Sequence, residues 1–566
     1  MNPEVPTPWF QNYEDGVPQS LLYPPVTLPD FLKEAAFSHP QNSALIYQGR
    51  KISYRELHRQ VQALSNALLT LGVQKGDRVA LLLPNCPAYV IGYYATLRIG
   101  GVVVSLSPLA VERELAALLP AADARVILVA EDLFPRIASI ADGCGVQNVV
   151  ISPGKFEEKA GRETSRRIGT SSLGALKIHS LEGLIQRFRN QSAPGAEVFP
   201  EDEAYIQFTG AIAEPPRGVV LTHANLVANT LQIASWVVRA RKGQEVFVGV
   251  LPLFHVYGMA VAMNVPIYLA SSIILFDRFD ASLALWAIEK YQATCFAGVP
   301  PMFASLLQAP EAQRDRLSSL RVCWSGGAPL ALEILEDFEK LVGVRISEGY
   351  GLAEASPATH CNPIFGKRKP GSVGLPYPDT LAKIVDLDRG EKILPPGAVG
   401  ELCIRGPQVM KGYWKQPELT ARTIRDGWLY TGDIGRMDEE GYFYILDVKK
   451  DMIIAGGFNI YPPDIDQVLA EHPKVAEGVA VGIPDLHRGE TVKAFVVLKE
   501  GEKATEEEII AFCRSHLARY KIPASVEFRD HLPKTPSGKI LRRILREEER
   551  NRRMARRESE LRGNDR

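Results

Sequence analysis

Leu532-Pro533-Lys534-Thr535-Pro536-Ser537-Gly538-Lys539-Ile540 sets a lysine on a glycine-containing turn just ahead of a basic helical stretch that includes Arg542 and Arg543. A lysine so placed can reach an anionic reaction centre. Taken alone, the segment reads as a surface lysine beside a basic helix. It does not stand alone. Far upstream, Tyr350-Gly351-Leu352-Ala353-Glu354 and Tyr430-Thr431-Gly432-Asp433 add an aromatic ring and two carboxylates, groups suited to holding a nucleotide and its metal.

The chain has 566 residues, too many for one ordinary core, so several domains are expected. Lys plus Arg (65) nearly balances Asp plus Glu (66), which leaves no global field for nucleic acid or an anionic membrane. Any anion site must be local. Seven cysteines carry no C-x-x-C pair and no histidine at ligand spacing, the pattern of reduced thiols in a cytosolic protein. The first residues, Met1-Asn2-Pro3-Glu4-Val5-Pro6, lack a basic region and an apolar run, which argues against secretion. The expectation is a cytoplasmic protein. From Val246 to Phe276 there is no Asp, Glu, Lys or Arg, a length that would allow a membrane span. Pro252, His255, Asn264 and Pro266 interrupt it, so two buried strands with a helix between them fit better. Loose association with a membrane surface stays open.

The first half alternates short β-rich runs with amphipathic stretches: Val79 to Leu83, Ala88 to Ile99, Val102 to Val104, Glu112 to Leu119, Arg125 to Val129. That rhythm predicts parallel α/β layers. Tyr54 to Leu71 carries apolar residues at helical spacing, with Gly72 as its C-cap. Ser152 to Pro200 is a polar surface excursion around one helix near Leu181 to Phe188. Beyond Gly374, runs at Ala382 to Val385, Glu401 to Arg405 and Phe443 to Leu446 predict a small β-rich subdomain. Beyond Lys450 the pattern is a compact α+β unit. The fold class expected is α/β, with layered α/β subdomains (28–374) and a β-rich subdomain (375–447) in one large domain (1–447). A smaller α+β domain (448–546) and a charged helical tail (547–566) follow. The tail reads as a solvated helix rather than a nucleic-acid arm.

From about Leu28 to Arg546 the chain resembles the adenylate-forming superfamily, and within it the long-chain fatty-acid CoA ligases. The matching pieces include Leu251-Pro252-Leu253-Phe254-His255-Val256-Tyr257-Gly258, Ser325 to Leu330, the Tyr350 segment, Gly406 to Trp414, Gly427 to Asp433 and Lys450 to Pro462. The resemblance implies that Gly326, Gly327, Ala328, Pro329, Tyr350 and Gly351 line the adenine pocket, that Glu354 holds Mg2+, and that Asp433 accepts hydrogen bonds from the ribose. It implies that Thr209, Gly210, Arg217 and Gly218 frame the phosphate loop, and that the small domain is mobile about Lys450. One orientation would bring Lys539 to the adenylate; the other would bring Gly457 to a coenzyme A channel. His255 would lie near the acyl pocket, or be an ordinary core histidine.

One segment departs from the family pattern. The phosphate loop usually reads aromatic-Thr-(Ser/Gly)-Gly-Thr-Thr-Gly-x-Pro-Lys-Gly; here Phe208 to Gly218 places Ala211 and Glu214 at glycines, Ile212 and Ala213 at hydroxyls, and Arg217 at the lysine. Glycines there let backbone N–H groups approach phosphate. Each lost hydroxyl contact to a charged group costs about 1.5–3 kcal/mol. A carboxylate roughly 5 Å from a phosphate at an effective dielectric near 20 adds about 3 kcal/mol of repulsion. Arg217 recovers part through forked contacts. Ala353 stands at a usual Thr, and Val448 at a usual Arg.

The expected activity is ATP-dependent ligation of a medium- or long-chain fatty acid to coenzyme A through an acyl-adenylate, with ATP, Mg2+ and coenzyme A as cofactors and reduced turnover. The alternative is an adenylation-deficient descendant that binds acyl chains or coenzyme A as a sensor or partner protein. An amino-acid-activating domain is disfavoured because no carrier domain follows. Oxidation of the luciferase kind shares the fold and has nothing in its favour here. No nucleic-acid partner is expected, and the oligomeric state, monomer or homodimer, stays open.

Overall fold

The computed structural model describes residues 5–153, 171–173, 176–191, 197–209, 216–448, 452–485, 487–534 and 540–563. The chain separates into two compact units, one built from 1–108, 115–209 and 217–449, the other from 109–114, 210–216 and 450–566. Lys539, Lys450 and Gly210 lie outside the described residues, as do Ala211 to Glu214.

In the larger unit, the described strands form two nine-stranded sheets and one of five. The alternating runs become parallel strands, with Arg78–Leu82 between Val102–Ser105 and Ala124–Ala130. Helix Tyr54–Thr70 starts where Ser53 Oγ accepts from Glu56 N at 3.2 Å, and Gly72 follows it at φ +88°. The uncharged stretch resolves as expected into strands Val246–Gly249 and Ser272–Leu275, paired in parallel, with a helical segment between them. That segment contains a π-helical turn, Ala260–Asn264, in which Val265 N donates to Ala260 O. Pro266 has no N–H to return to the preceding turn, which accounts for the wider winding. Among the described residues, no helix is long and apolar enough to cross a membrane.

The first sheet runs Leu375–Pro376, Ala358–Cys361, Ile346–Gly351, Val322–Ser325, Cys295–Gly298, Val246–Gly249, Ser272–Leu275, Ser43–Tyr47, Arg50–Ser53. Its core centres on Phe296, Phe303 and Phe338, all fully buried, packed edge to face at 5.2 and 5.1 Å. At one end of the second sheet, Gly412–Tyr413 pairs with Arg217–Thr222, which pairs with Glu203–Thr209. The five-stranded sheet is the small β-rich subdomain, with Phe443–Val448 laid on Trp428–Met437. All seven cysteines are buried, with no disulfide among them.

Helix His223–Trp236 carries a buried polar stripe that ties these pieces together. Asn225 Nδ2 donates to Pro407 O and Val409 O, both at 2.9 Å. Asn229 grips Ala358 through both its amide atoms, at 2.7 and 3.1 Å. Gln232 Nε2 donates to Pro378 O at 2.8 Å, and Trp236 Nε1 to Asn362 O at 3.1 Å. These four residues recur at spacings of three and four, on one face of the helix.

The smaller unit has its own sheet, Phe458–Ile460, Ile453–Ala455, Gly489–Leu498, Val475–Asp485, with Ser525–Phe528 added on Gly489–Leu498. Helices Pro462–Glu471 and Glu506–His516 cover it and share one apolar core. Helix Arg542–Gly563 spans most of the charged tail.

Asn229→Leu keeps the branching and heavy-atom count of the side chain but leaves the Ala358 N–H and C=O without their amide partner in a fully buried position. It is expected to destabilise the larger unit by about 1–3 kcal/mol per unpaired group, measured as a shift in the urea midpoint.

Candidate active site

Two tyrosine–carboxylate pairs define the site. Tyr350, on strand Ile346–Gly351, donates its hydroxyl to Asp433 Oδ2 on strand Trp428–Met437. Asp433 N donates to Thr431 Oγ1 at 3.0 Å, and Thr431 Oγ1 donates to Leu402 O at 2.8 Å, which fixes the carboxylate's backbone. Glu354, in the short turn Ala353–Ala355, accepts from Tyr413 Oη at 2.8 Å. Both members of this second pair are 6% exposed. The first and second sheets and the β-rich subdomain thus each supply one side of the site.

The described residues expected to frame the phosphates lie on neighbouring antiparallel strands, with Arg217 paired to Thr209 and Gly218 to Phe208. Thr209 Oγ1 donates to Arg217 O at 3.4 Å. A side chain at Gly218 would come within 3.0 Å of both Ile206 and Trp414, so the strand lies flush against the segment that carries Tyr413. Burial pushes the Tyr413 hydroxyl pKa up, the Glu354 charge adds to this, and the Arg217 charge partly offsets it. The Arg217 charge is therefore close enough to act on the Tyr413 hydroxyl.

Gly326, Gly327, Ala328 and Pro329 follow strand Val322–Ser325. A Cβ on Gly326 would meet the Tyr257 ring at 3.2 Å, and one on Gly351 would meet Pro357 O at 2.2 Å. Gly351 has no room for a side chain, whereas Gly326 is close-packed against the Tyr257 ring. Tyr257 thereby links the Leu251–Gly258 segment to the glycine turn. His255 accepts from Tyr257 N through Nδ1 at 3.3 Å and caps the short helix Val256–Met259. Gly457, at φ +82° in the turn between Ile453–Ala455 and Phe458–Ile460, belongs to the smaller unit.

The site fits a nucleotide and its divalent metal on chemical grounds. Asp433 and Glu354 are acceptors, one beside an aromatic ring and the other buried beside strand Arg217–Thr222. Ser325 Oγ, which precedes the glycine turn, and His360 Nε2, beside Tyr350, are buried without hydrogen-bond partners among the described residues. A carboxylate offers about four acceptor sites across its two oxygens and is a usual ligand of Mg2+. Tyr413, Thr431 and His360 are site residues that the sequence motifs did not single out.

Residues 32–414 match the model of the AMP-binding enzyme family and residues 464–539 that of the AMP-binding enzyme C-terminal domain. The chain belongs to the AMP-binding enzyme family. It is 43% identical to a long-chain-fatty-acid–CoA ligase of Bacillus subtilis (strain 168), over 96% of this chain and 98% of that protein. Its fold is similar to the amide bond synthetase McbA from Marinactinospora thermotolerans, with a TM-score of 0.79 and 28% identity, covering 92% of this chain and 99% of that one. It is also similar to ATP-bound MatB from Rhodopseudomonas palustris, with a TM-score of 0.66 and 30% identity over 92% and 99% of the two chains.

Burial pushes the His360 imidazole down to about 3, and His223 and His255 down to about 4. In the unfolded chain all three titrate near 6.5, so between pH 6.5 and about 4 the unfolded chain binds more protons. The stability these neutral rings contribute is present above pH 6.5 and lost as pH falls through that window, by up to about 3 kcal/mol per residue. The urea midpoint is expected to drop between pH 7.5 and 5, and His360→Phe to flatten that slope.

Proposed function

We propose that this protein is an ATP-dependent fatty acid–CoA ligase of the acid–thiol class, acting on medium- or long-chain acids through an acyl-adenylate, with a slowed first half-reaction. The observation that carries the reading is the pairing of Tyr350 with Asp433 and of Tyr413 with Glu354 in one unit, at the positions where the family binds nucleotide and metal. The ligase relatives, matched along nearly their whole length, support the same activity.

In the first step the substrate carboxylate attacks the α-phosphorus of ATP and pyrophosphate leaves. In the second, the thiolate of coenzyme A attacks the acyl carbon and AMP leaves. Little covalent chemistry falls to the protein, so positioning and electrostatics carry the rate. Asp433 holds the ribose, with Tyr350 and the Gly326–Pro329 turn around the base. Glu354 is the residue that would hold Mg2+, whose chemistry is to neutralise charge on the phosphate oxygens. Thr209, Gly210, Arg217 and Gly218 frame the triphosphate. Lys539 supplies the cation at the carboxylate and α-phosphate. Lys450 is the pivot that exchanges Lys539 for the Gly457 turn between steps, and His255 borders the acyl pocket. The domain division at 447/448 belongs to the same proposal, as does a cytoplasmic setting.

The substitutions at Ala211, Ile212, Ala213 and Glu214 favour a second reading, a binding protein for acyl chains or coenzyme A that no longer uses ATP. Purified protein given Mg-ATP, coenzyme A and fatty acids of graded length is expected to release pyrophosphate and form acyl-CoA. Preformed acyl-adenylate with coenzyme A should turn over faster than the complete reaction. Restoring the loop with Ala211→Gly, Ile212→Thr, Ala213→Thr and Glu214→Gly should raise kcat/KM for ATP by about a hundredfold or more, from roughly 3 kcal/mol of recovered phosphate contacts. Acyl-CoA binding in calorimetry, with no ATP binding at millimolar concentration, would instead establish the second reading.

A further inference from the structure

We propose that Tyr413 is a positioning residue for the divalent cation: its hydroxyl holds the Glu354 carboxylate in the orientation that binds the metal accompanying ATP. The inference rests on the ligase reading and deepens it at one residue. Tyr413 touches neither the reacting atoms nor the metal. It acts through Glu354.

The geometry leaves both partners little freedom. Tyr413 Oη lies 2.8 Å from Glu354 Oε1, with both residues buried. The same segment grips Glu354 a second time through its backbone, where Met410 N donates to Glu354 O at 2.8 Å. The tyrosine's own backbone is held from two sides. Tyr413 N donates to Thr420 Oγ1 at 2.8 Å, and strand Gly412–Tyr413 is in register with Val219 and Val220. On either side, Lys411 N donates to Val220 O at 3.0 Å and Trp414 N to Gly218 O at 2.6 Å. One short strand therefore sets the Glu354 carboxylate against the strand that begins with Arg217 and Gly218. Metal ligand and phosphate frame are held in a fixed relation before any ligand arrives.

The chemistry of the donor matters. A phenol hydroxyl orients a carboxylate without neutralising it, whereas a lysine or arginine bonded there would compete with the cation. A carboxylate's two oxygens offer about four acceptor sites, of which a phenol takes one. Partners that orient a metal ligand typically contribute about 10–100-fold to metal affinity. In this chain the contribution carries extra weight, because Ala211, Ile212, Ala213 and Glu214 bring no hydroxyl donor and the metal becomes a larger share of what retains the triphosphate.

The test uses the full-length protein, Mn2+ as the probe and ATP as the nucleotide, with bound Mn2+ followed by electron paramagnetic resonance. Tyr413→Phe keeps the ring and removes the hydroxyl. It is expected to weaken Mn2+ in the ternary complex by about tenfold or more, with a melting temperature close to wild type. In turnover assays the defect should appear as a raised Mg2+ requirement, recovered at high Mg2+ with kcat nearly restored. Thr420→Val, which loosens the same tyrosine through its backbone, should shift Mn2+ affinity in the same direction by a smaller factor, and it carries the test should Tyr413→Phe fold poorly. Glu354→Gln should abolish the Mn2+ signal in every background. Wild-type Mn2+ affinity in both tyrosine-directed variants overturns the positioning role alone. A wild-type protein that binds no Mn2+ with ATP overturns the ligase reading and this inference together.

Discussion

The amide stripe of helix His223–Trp236 is the constraint from which the rest of the site follows. Asn225 fixes the carbonyls of Pro407 and Val409, a few residues before Tyr413. Asn229 fixes Ala358, a few residues after Glu354. The helix itself begins where the Arg217–Thr222 strand ends, with Thr222 as its cap. Glu354, Tyr413 and strand Arg217–Thr222 are thus three arms of one hub. Buried amides are costly unless paired. Each is paired with backbone that has to be in one place for the site to exist.

This arrangement separates two problems that the reaction poses. In the proposed function, holding a nucleoside and its metal falls to residues embedded in sheets and backed by the hub, and holding the outer phosphates falls to the segment between strands Glu203–Thr209 and Arg217–Thr222. The changes at Ala211, Ile212, Ala213 and Glu214 fall on the second problem. The two tyrosine–carboxylate pairs that serve the first remain. A loss confined to one part of a substrate lowers the rate of the step that needs that part and leaves the architecture alone.

Much of the fold was legible because its signals are local. Alternating apolar runs gave the parallel layers, and the helix at Leu181–Phe188 and the two strands around the uncharged Val246–Phe276 stretch fall where turn residues and length place them. Tyr350, Glu354 and Asp433 were legible as motif residues, although nothing in their spacing tells which carboxylate meets which tyrosine. Tyr413 and Glu354 are 59 positions apart, and no periodic signal joins them. The hub was hidden for a different reason. Asn225, Asn229 and Gln232 at helical spacing resemble a solvent face, and only the backbone carbonyls brought in from residues 358, 378, 407 and 409 explain why that face is buried.

The seven buried thiols acquire a meaning from the intermediate this enzyme family handles. A mixed acyl–phosphate anhydride modifies any reactive sulfur it meets, and reactivity belongs to the thiolate. Burial pushes the thiols of Cys86, Cys295, Cys323, Cys361 and Cys513 up, keeping them protonated and inert. A protein that generates such an anhydride is in this way guarded against labelling itself at these five positions, and the sulfur supplied by the incoming co-substrate has no rival among them.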